Sequence, residues 1–225
     1  AGDVLTIEAG TIDVVGSYEG LEAFTLALVG GDVSLRASDD GINASGGDTT
    51  TSGPGGGGDR DGGQEVWITG GRLLVDADGD GLDSNGSLYQ VGGEVRVLGP
   101  SGSGNGALDT NGTLEVRGGT LVATGSSSMV ETPDSSSTQP WIAASLGSRV
   151  DASTSIRVLD ASGAEVHAFT ADKTAQVLVF SSPLLVDGAS YTVEVDGTEQ
   201  ATVTEGSGLS GSSGPGGNGG PGGPG

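Results

Sequence analysis

The stretch Val66–Gly86 reads VWITGGRLLVDADGDGLDSNG, and it contains the pattern that decides the fold. Two short segments of alternating apolar and polar residues flank a Gly-Gly pair, and a turn rich in Asp and Gly follows them. Alternation with a period of two is typical of β-strands, because successive side chains point to opposite faces. The stretch therefore predicts two strands joined by a glycine corner and followed by an acidic turn.

The same pattern recurs along the chain. The repeats are VLTIEAGTIDVVGSYEGLEA (4–23), LALVGGDVSLRASDDGINAS (26–45), LYQVGGEVRVLGPSGSGNGALDTNG (88–112) and LEVRGGTLVATGSSSM (114–129). The second glycines at 71, 93 and 119 are 22 and 26 residues apart, and a Gly-rich insert at 46–63 lengthens the step before Gly71. Such a period is typical of leucine-rich repeats and of β-helices. No helical pattern separates the strands, so the β-helix is favoured.

The predicted fold is all-β: a right-handed parallel β-helix, a solenoid with rungs of about 22 residues, and a small antiparallel β unit at its C-terminal end. Residues 1–139 form the rungs, with 46–63 as a loop. Residues 140–205 form the β unit, which packs on or caps the helix, and 206–225 are a Gly/Pro-rich tail. Apolar residues two positions after the second glycine should face inward: Val33, Leu73, Val95 and Leu121. The pair Leu88 and Gln90 breaks the alternation and leaves open a one-residue register slip.

Composition narrows the classes of function. With 46 glycines and only 33% hydrophobic residues, the chain suits a thin core repeated many times better than one compact core. A net charge of −22 with 8 Lys and Arg argues against nucleic acid as a partner. No segment is long and apolar enough to enter a bilayer. The absence of cysteine excludes disulfides and thiolate metal sites, and fits a secreted bacterial protein, extracellular or on the cell surface.

Acidic residues recur at the same place in each repeat. Alignment of the turns gives one column of Glu19, Asp40, Asp80 and Asn105, and another of Glu22, Asn43, Asp83 and Asp109. Like charges one rung apart repel unless a cation separates them, and calcium accepts carboxylate, amide and backbone oxygens together. The predicted calcium ligands are therefore Glu19, Glu22, Asp40, Asn43, Asp78, Asp80, Asp83 and Asp109. The alternative is a set of solvated turn acids with raised pKa values.

The motifs YEGLEA, ASDDGINAS, DGLDSNG and GALDTNG resemble those of a carbohydrate-binding family typified by a clostridial cellulose- and acidic-sugar-binding β-helix protein, related in fold to pectate lyases. The resemblance covers roughly residues 1–205. It implies a secreted polysaccharide-binding β-helix whose motif acids bind calcium. Relatives have further rungs before the first one seen here, so we expect either that the chain is a fragment or that its open first rung contacts another molecule.

Trp67 and Tyr89 occupy one outward column on adjacent rungs, which predicts a platform for stacking sugars; burial beneath the insert or the β unit is the alternative. The predicted function is non-catalytic binding of cellulose or acidic, pectin-like glycans. A structural filament or adhesin, assembled through the first rung and the tail, is the second hypothesis. A polysaccharide lyase is the third, but the only lysine lies outside the repeats, and the arginines Arg36 and Arg72 fall opposite acids.

Overall fold

The computed structural model describes residues 3–46 and 61–209, and within these ranges the chain forms β-strands without any helix. The described residues therefore hold no helix that could cross a membrane. The predicted insert loop at 46–63 and tail at 206–225 lie mostly outside these ranges. The strands are β1 (Val4–Ile7), β2 (Thr11–Ser17), β3 (Leu21–Ala23), β4 (Thr25–Leu28), β5 (Asp32–Ala37), β6 (Ile42–Ala44), β7 (Glu65–Ile68), β8 (Arg72–Ala77), β9 (Leu82–Ser84), β10 (Ser87–Gln90), β11 (Glu94–Leu98), β12 (Leu108–Thr110), β13 (Leu114–Val116), β14 (Thr120–Gly125), β15 (Trp141–Val150), β16 (Ser155–Asp160), β17 (Glu165–Thr170), β18 (Ala175–Ser181), β19 (Ser190–Val195) and β20 (Thr198–Thr204).

The first fourteen strands form three sheets that are parallel throughout. The first sheet has the order β1-β4-β7-β10-β13, the second contains β2-β5-β8-β11-β14, and the third is β3-β6-β9-β12. Each strand pairs with the strand three positions later, so the chain visits the three sheets in turn and completes one circuit with every third strand. The predicted all-β architecture with parallel sheets is confirmed.

The third sheet was missed by the sequence reading, which assigned two strands to each repeat and a turn to the acidic motif. The second half of that motif is a strand of three residues, as in Leu82–Ser84. Within it Leu82 and Ser84 are fully buried and Asp83 is not. Three residues are too few for an alternating pattern to stand out from a turn, although Ile42 and Ala44 alternate around Asn43 in the same way.

Inward-facing residues of all three sheets form one core along the circuits. The predicted register is confirmed in the second sheet, where Val33 pairs with Leu73, Leu73 with Val95 and Val95 with Leu121. Each of these side chains is at most 2% exposed. Burial of one such side chain stabilises the fold by about 1.5–3 kcal/mol, so a thin core gains its stability by repetition.

Gln90 occupies a core position without any slip in register. It pairs with Ile68, as Leu88 pairs with Val66, so the strand keeps the phase of its neighbour. The side chain is 1% exposed, and its Nε2 donates a hydrogen bond of 3.1 Å to the carbonyl oxygen of Thr120. A buried amide is tolerated because this bond satisfies it. The alternative of a one-residue slip is therefore wrong.

The Gly-Gly corners bring successive circuits into close contact. Gly71 has a φ of +79°, and a Cβ atom placed on it would lie 2.6 Å from the carbonyl oxygen of Gly31 in the preceding circuit. The obstructing atom belongs to the backbone and cannot rotate away. Glycine is therefore required here both for its left-handed conformation and for the spacing of the circuits.

Gly71→Ala is expected to lower the free energy of unfolding by about 2–4 kcal/mol, because positive φ and backbone overlap act together. Urea denaturation monitored by circular dichroism measures this change. Gly10→Ala is the matched control. Gly10 lies at the equivalent corner of the first circuit with a φ of +96°, but a Cβ placed there meets nothing within 4 Å. Equal losses in the two variants would show that circuit spacing plays no part.

The strands after Pro140 leave the circuits. Strand β18 pairs antiparallel with β14 on one side and with β15 on the other. Strands β18 and β15 therefore extend the second sheet beyond its last parallel strand, β14. The remaining strands form an antiparallel sheet of order β17-β16-β19-β20. A second apolar cluster fills the space between these elements, with Ile142, Phe180 and Val193 fully buried in it. The strands of 140–205 are thus antiparallel and packed against the end of the second sheet.

The ends of the insert are held together at the corner between β6 and β7. The side-chain Nε2 of Gln64 donates a hydrogen bond of 2.7 Å to the carbonyl oxygen of Gly46. Gly62 also donates from its backbone to Asn85 of the next circuit at 2.7 Å. Strands β4 and β7, which lie on the two sides of the insert in the chain, still pair residue for residue.

Candidate functional site: an acidic ladder and an aromatic stack

The third sheet aligns one of the predicted acidic columns. Glu22 pairs with Asn43, Asn43 with Asp83 and Asp83 with Asp109, each at a directly opposed position of a parallel ladder. We call these four residues the strand column. Their neighbours Ile42, Leu82 and Leu108 point into the core, so the strand column faces away from it. Successive members lie ~4.8 Å apart along the sheet.

The second column lies just before these strands, and its carboxylates bond to the next circuit. Asp40 Oδ1 accepts a hydrogen bond of 2.7 Å from the backbone N–H of Asp80. Asp80 Oδ1 accepts one of 2.5 Å from the N–H of Gly106. We call Glu19, Asp40 and Asp80 the turn column, and both columns together the acidic ladder. Gly106 stands where the sequence alignment placed Asn105, because the ladder continues into the fourth circuit without an extra residue.

Burial and mutual repulsion raise the pKa values of the ladder carboxyls. Burial, followed by the charges of Asp40 and Asp109, raises the pKa of Asp83 to about 8. Burial also raises the pKa of Asp80 to about 7, although the hydrogen bond from Gly106 opposes the rise. The pKa of Asp40 is raised mainly by burial as well. The columns thus concentrate carboxyl groups that are costly to ionise without a counter-ion.

Two oxygen atoms at the N-terminal side of the ladder are buried without a hydrogen-bond donor. They are Oε2 of Glu19 and Oδ1 of Asn43. Burial raises the pKa of Glu19, and the charge of Asp40 raises it further, whereas a hydrogen bond with Asn43 lowers it. Orphaned acceptor oxygens next to crowded carboxylates are what a hard cation would satisfy. These oxygen atoms fit calcium by their chemistry, and Glu19, Asn43 and Asp40 are the residues that would hold such an ion.

The ladder is not a closed metal site. Within residues 3–46 and 61–209, no three Asp, Glu or His side chains converge in the way that a closed metal site requires. The physical reason is the spacing of the circuits, which keeps the carboxylates in rows. A cation on this surface would therefore take side-chain oxygens from two neighbouring circuits and complete its shell with backbone oxygens and water.

Glu131 closes the ladder at its far end, and the sequence reading missed it. It accepts hydrogen bonds from the backbone N–H of Thr110 at 2.6 Å and from the hydroxyl of Thr110 at 2.5 Å. Burial raises its pKa to about 7, and the charge of Asp109 contributes to the rise. The available signal was an acid eleven residues after β14 begins at Thr120, in a stretch rich in Ser and Thr.

Asp78 lies apart from the other predicted ligands. Its Oδ1 is 2.9 Å from Nζ of Lys173, which also contacts Asp76 at 3.0 Å and the carbonyl oxygen of Ala77 at 2.7 Å. The only lysine of the chain therefore joins the loop before β18 to the end of β8. Asp76 pairs in addition with Arg36 at 3.5 Å. This arrangement points to attachment of the C-terminal strands as the role of Asp78.

Trp67 and Tyr89 are neighbours on the outer surface of the first sheet. They are paired residues of β7 and β10, and their ring centroids are 4.3 Å apart with an interplanar angle of 26°. The guanidinium of Arg117 lies 5.0 Å from the centre of the Tyr89 ring. The rings therefore stack on one another instead of lying side by side. Ala27 pairs with Trp67 on the preceding circuit, so the indole has a small side chain as its neighbour on that side.

The chain is thus an all-β protein whose parallel strands carry an acidic ladder and a half-buried aromatic stack. Compared with protein families, with curated proteins and with solved structures, the chain has no match. The resemblance to the carbohydrate-binding family stays a prediction.

Proposed function

We propose that the chain is an extracellular, calcium-binding and non-catalytic polysaccharide-binding protein built as a right-handed parallel β-helix. The strand order supports this fold, because a chain that returns to the same parallel sheet on every third strand describes a helical path. Parallel crossover connections are right-handed in nearly all proteins, which gives the hand. The proposed helix consists of the circuits of β1 to β14.

Calcium binding rests on one observation, the register of the acidic ladder. Four strand-column residues stand directly opposite one another, and the turn column runs beside them. The sequence of the four acidic motifs contains no Lys or Arg, and two buried oxygens, Oε2 of Glu19 and Oδ1 of Asn43, lack hydrogen-bond donors. Calcium bound by Glu19, Glu22, Asp40, Asn43, Asp80, Asp83 and Asp109 would supply the missing charge and join adjacent circuits. Asp78 is not among these ligands, because it forms an ion pair with Lys173.

Polysaccharide binding rests on the aromatic stack. Trp67 is held at its Nε1 by Glu65 at 3.0 Å, and Tyr89 is covered on one side by Arg117. The rings are thereby fixed before a ligand arrives, which lowers the cost of binding. The face of Trp67 on the side of Ala27 and the edges of both rings would contact sugar.

Replacement of both Trp67 and Tyr89 by Ala is expected to weaken binding to insoluble cellulose at least tenfold, since stacking surface is lost. The loss of the ring pair should lower the free energy of unfolding by only about 1–2 kcal/mol. Sedimentation of the protein with cellulose measures the first quantity, and urea denaturation the second.

Tyr18→Ala is the matched control for this test, because Tyr18 is an exposed tyrosine away from the stack. Unchanged cellulose binding in the double variant would remove the stack as the glycan-binding surface.

Absorbance from unsaturated sugar products should stay constant when polygalacturonate is added, because the proposed function is non-catalytic.

A structural filament is the second candidate, and one observation favours it. Strands β1, β2 and β3 each stand at the edge of their sheet in the described part of the chain. Val4, Val15 and Tyr18 are 69–79% exposed on this first circuit. Exposed edges and apolar side chains favour association with another chain. Molecular mass measured over a range of protein concentrations distinguishes a filament subunit from a monomeric binding protein.

A further inference from the structure

A groove lies between the outer face of the second sheet and strand β17. Its volume is about 600 Å³. Ser34, Leu74 and Arg96, which pair with one another across β5, β8 and β11, line it from the parallel sheet. His167 and Phe169 of β17 line the opposite side. We call this space the sheet groove.

The arginines of the sheet groove form ion pairs. Arg96 Nη2 is 2.6 Å from the carboxylate of Asp172 and donates a hydrogen bond of 2.5 Å to the carbonyl oxygen of Thr170. Its guanidinium also lies 5.5 Å from the centre of the Phe169 ring. Arg72 pairs with Glu94 at 3.3 Å. Arg96 is thus oriented by three contacts, whereas the side chains of Arg72 and Glu94 are 71% and 68% exposed.

Charge in the sheet groove is nearly balanced. Three carboxylates (Asp32, Glu94 and Asp172) and two guanidiniums line it, and the whole chain carries a net charge of −22. Burial and the charge of Arg96 lower the pKa of His167, so this histidine adds no positive charge at neutral pH. A polyanion would meet net repulsion here. The groove therefore selects against acidic glycans.

The apolar groups of the sheet groove complete a surface suited to sugars. Leu74 is 38% exposed and Leu184 is 66% exposed, and both line the groove together with Phe169. A hexose presents hydroxyl groups that need both donors and acceptors, and C–H faces that pack on apolar side chains. Lining residues come from four adjacent strands, β5, β8, β11 and β14, which span roughly 14 Å at the usual strand spacing. This length accommodates a short oligosaccharide lying along the sheet.

We propose that the sheet groove is a second glycan-binding site, specific for a segment of uncharged hexose polymer. The inference rests on the proposed function and deepens it, because it assigns a substrate class that the aromatic stack does not select. The two sites lie on different sheets. Oligosaccharide binding in the groove is therefore independent of Trp67 and Tyr89.

The probes are cellohexaose as the uncharged oligosaccharide and hexagalacturonate as the acidic one, both measured by isothermal titration calorimetry. The wild-type protein should bind cellohexaose, and hexagalacturonate at least tenfold more weakly. Ser34→Trp fills the groove and should weaken cellohexaose binding at least tenfold. Leu74→Ala removes an apolar contact without adding bulk and should weaken it roughly threefold, which corresponds to the loss of part of one side chain's contact.

Val15→Trp is the control, because Val15 is exposed on the same sheet but does not line the groove. It should leave cellohexaose binding unchanged. The double replacement of Trp67 and Tyr89 by Ala removes the contribution of the aromatic stack, so the cellohexaose binding that persists in it is assigned to the groove, and its complete loss would overturn the inference. Unchanged binding in both groove variants would overturn the inference while leaving polysaccharide binding intact. Tighter binding of hexagalacturonate would overturn the assigned class. If cellulose sediments the protein but cellohexaose does not bind, the groove fails and the aromatic stack survives.

Discussion

Removal of calcium with EDTA is expected to lower the melting temperature of the protein by about 5–10 °C. The unfolded chain cannot align Asn43, Asp83 and Asp109 across circuits, so the proposed calcium would bind the folded state alone. At a free concentration of 100 Kd, such binding stabilises a fold by about 2.7 kcal/mol. For a chain of this length, each kcal/mol shifts the melting temperature by about 2–4 °C. Differential scanning calorimetry with and without added calcium measures the shift.

Asp83→Asn tests whether the ladder is responsible. Asp83 contributes to the strand column, and its replacement by an amide of similar shape should remove most of the calcium-dependent shift. Asp32→Asn is the matched control, because Asp32 is an exposed acid at the start of β5, outside the ladder. A melting temperature that is the same in EDTA and in calcium would contradict calcium binding altogether. If calcium shifts the melting temperature equally in Asp83→Asn and in the wild type, the ion binds at a site that does not include Asp83.

The metal-free protein is expected to lose stability as the pH rises from about 4 to 8. Folding raises the pKa of Asp80 to about 7 and that of Asp83 to about 8, from 3.8 in both cases. A raised carboxyl pKa means that the folded state prefers the protonated acid. The stabilisation is therefore complete below the unfolded pKa and is lost as the pH passes through the folded pKa. After a discount for solvent exposure, the loss is on the order of 2 kcal/mol.

Urea denaturation in EDTA at a series of pH values measures this slope. In Asp83→Asn the slope between pH 4 and 8 should become smaller, since the amide cannot ionise. Saturating calcium should also flatten the wild-type curve, because the ion favours the same carboxylates in their charged form. Stability that increases from pH 4 to 8 in EDTA would show that the ladder carboxyls ionise without cost in the folded chain.

Much of the parallel architecture was predictable because its signals are periodic. The Gly-Gly pairs fix the corners, and the alternation around Leu73 and Val95 gives both the inward face and the register. The strand column was predictable for the same reason, since Asp83 and Asp109 occupy equivalent positions in similar sequences. Repetition supplies several copies of one signal, and each copy supports the interpretation of the others.

The features that were missed depend on contacts between segments that do not repeat. Glu131 reaches Thr110 across 21 residues of sequence, and Lys173 reaches Asp78 across 95. Neither partner carries a local mark of the contact. The stacked geometry of Trp67 and Tyr89 was also beyond the sequence, because a shared column fixes the neighbours but not the rotamers. Long-range contacts and side-chain rotation therefore mark the limit of the prediction.

The hydrogen bond between Gln64 and Gly46 holds the two ends of the insert together at the corner between β6 and β7. The chain departs and returns at one place, while β4 and β7 keep the same pairing that uninterrupted circuits have. The free energy of closing a loop grows only slowly with its length. Chain length at this corner is thus uncoupled from the geometry of the core. A foreign sequence inserted between Gly46 and Gln64 is therefore expected to leave the pairing of the strands on either side unchanged.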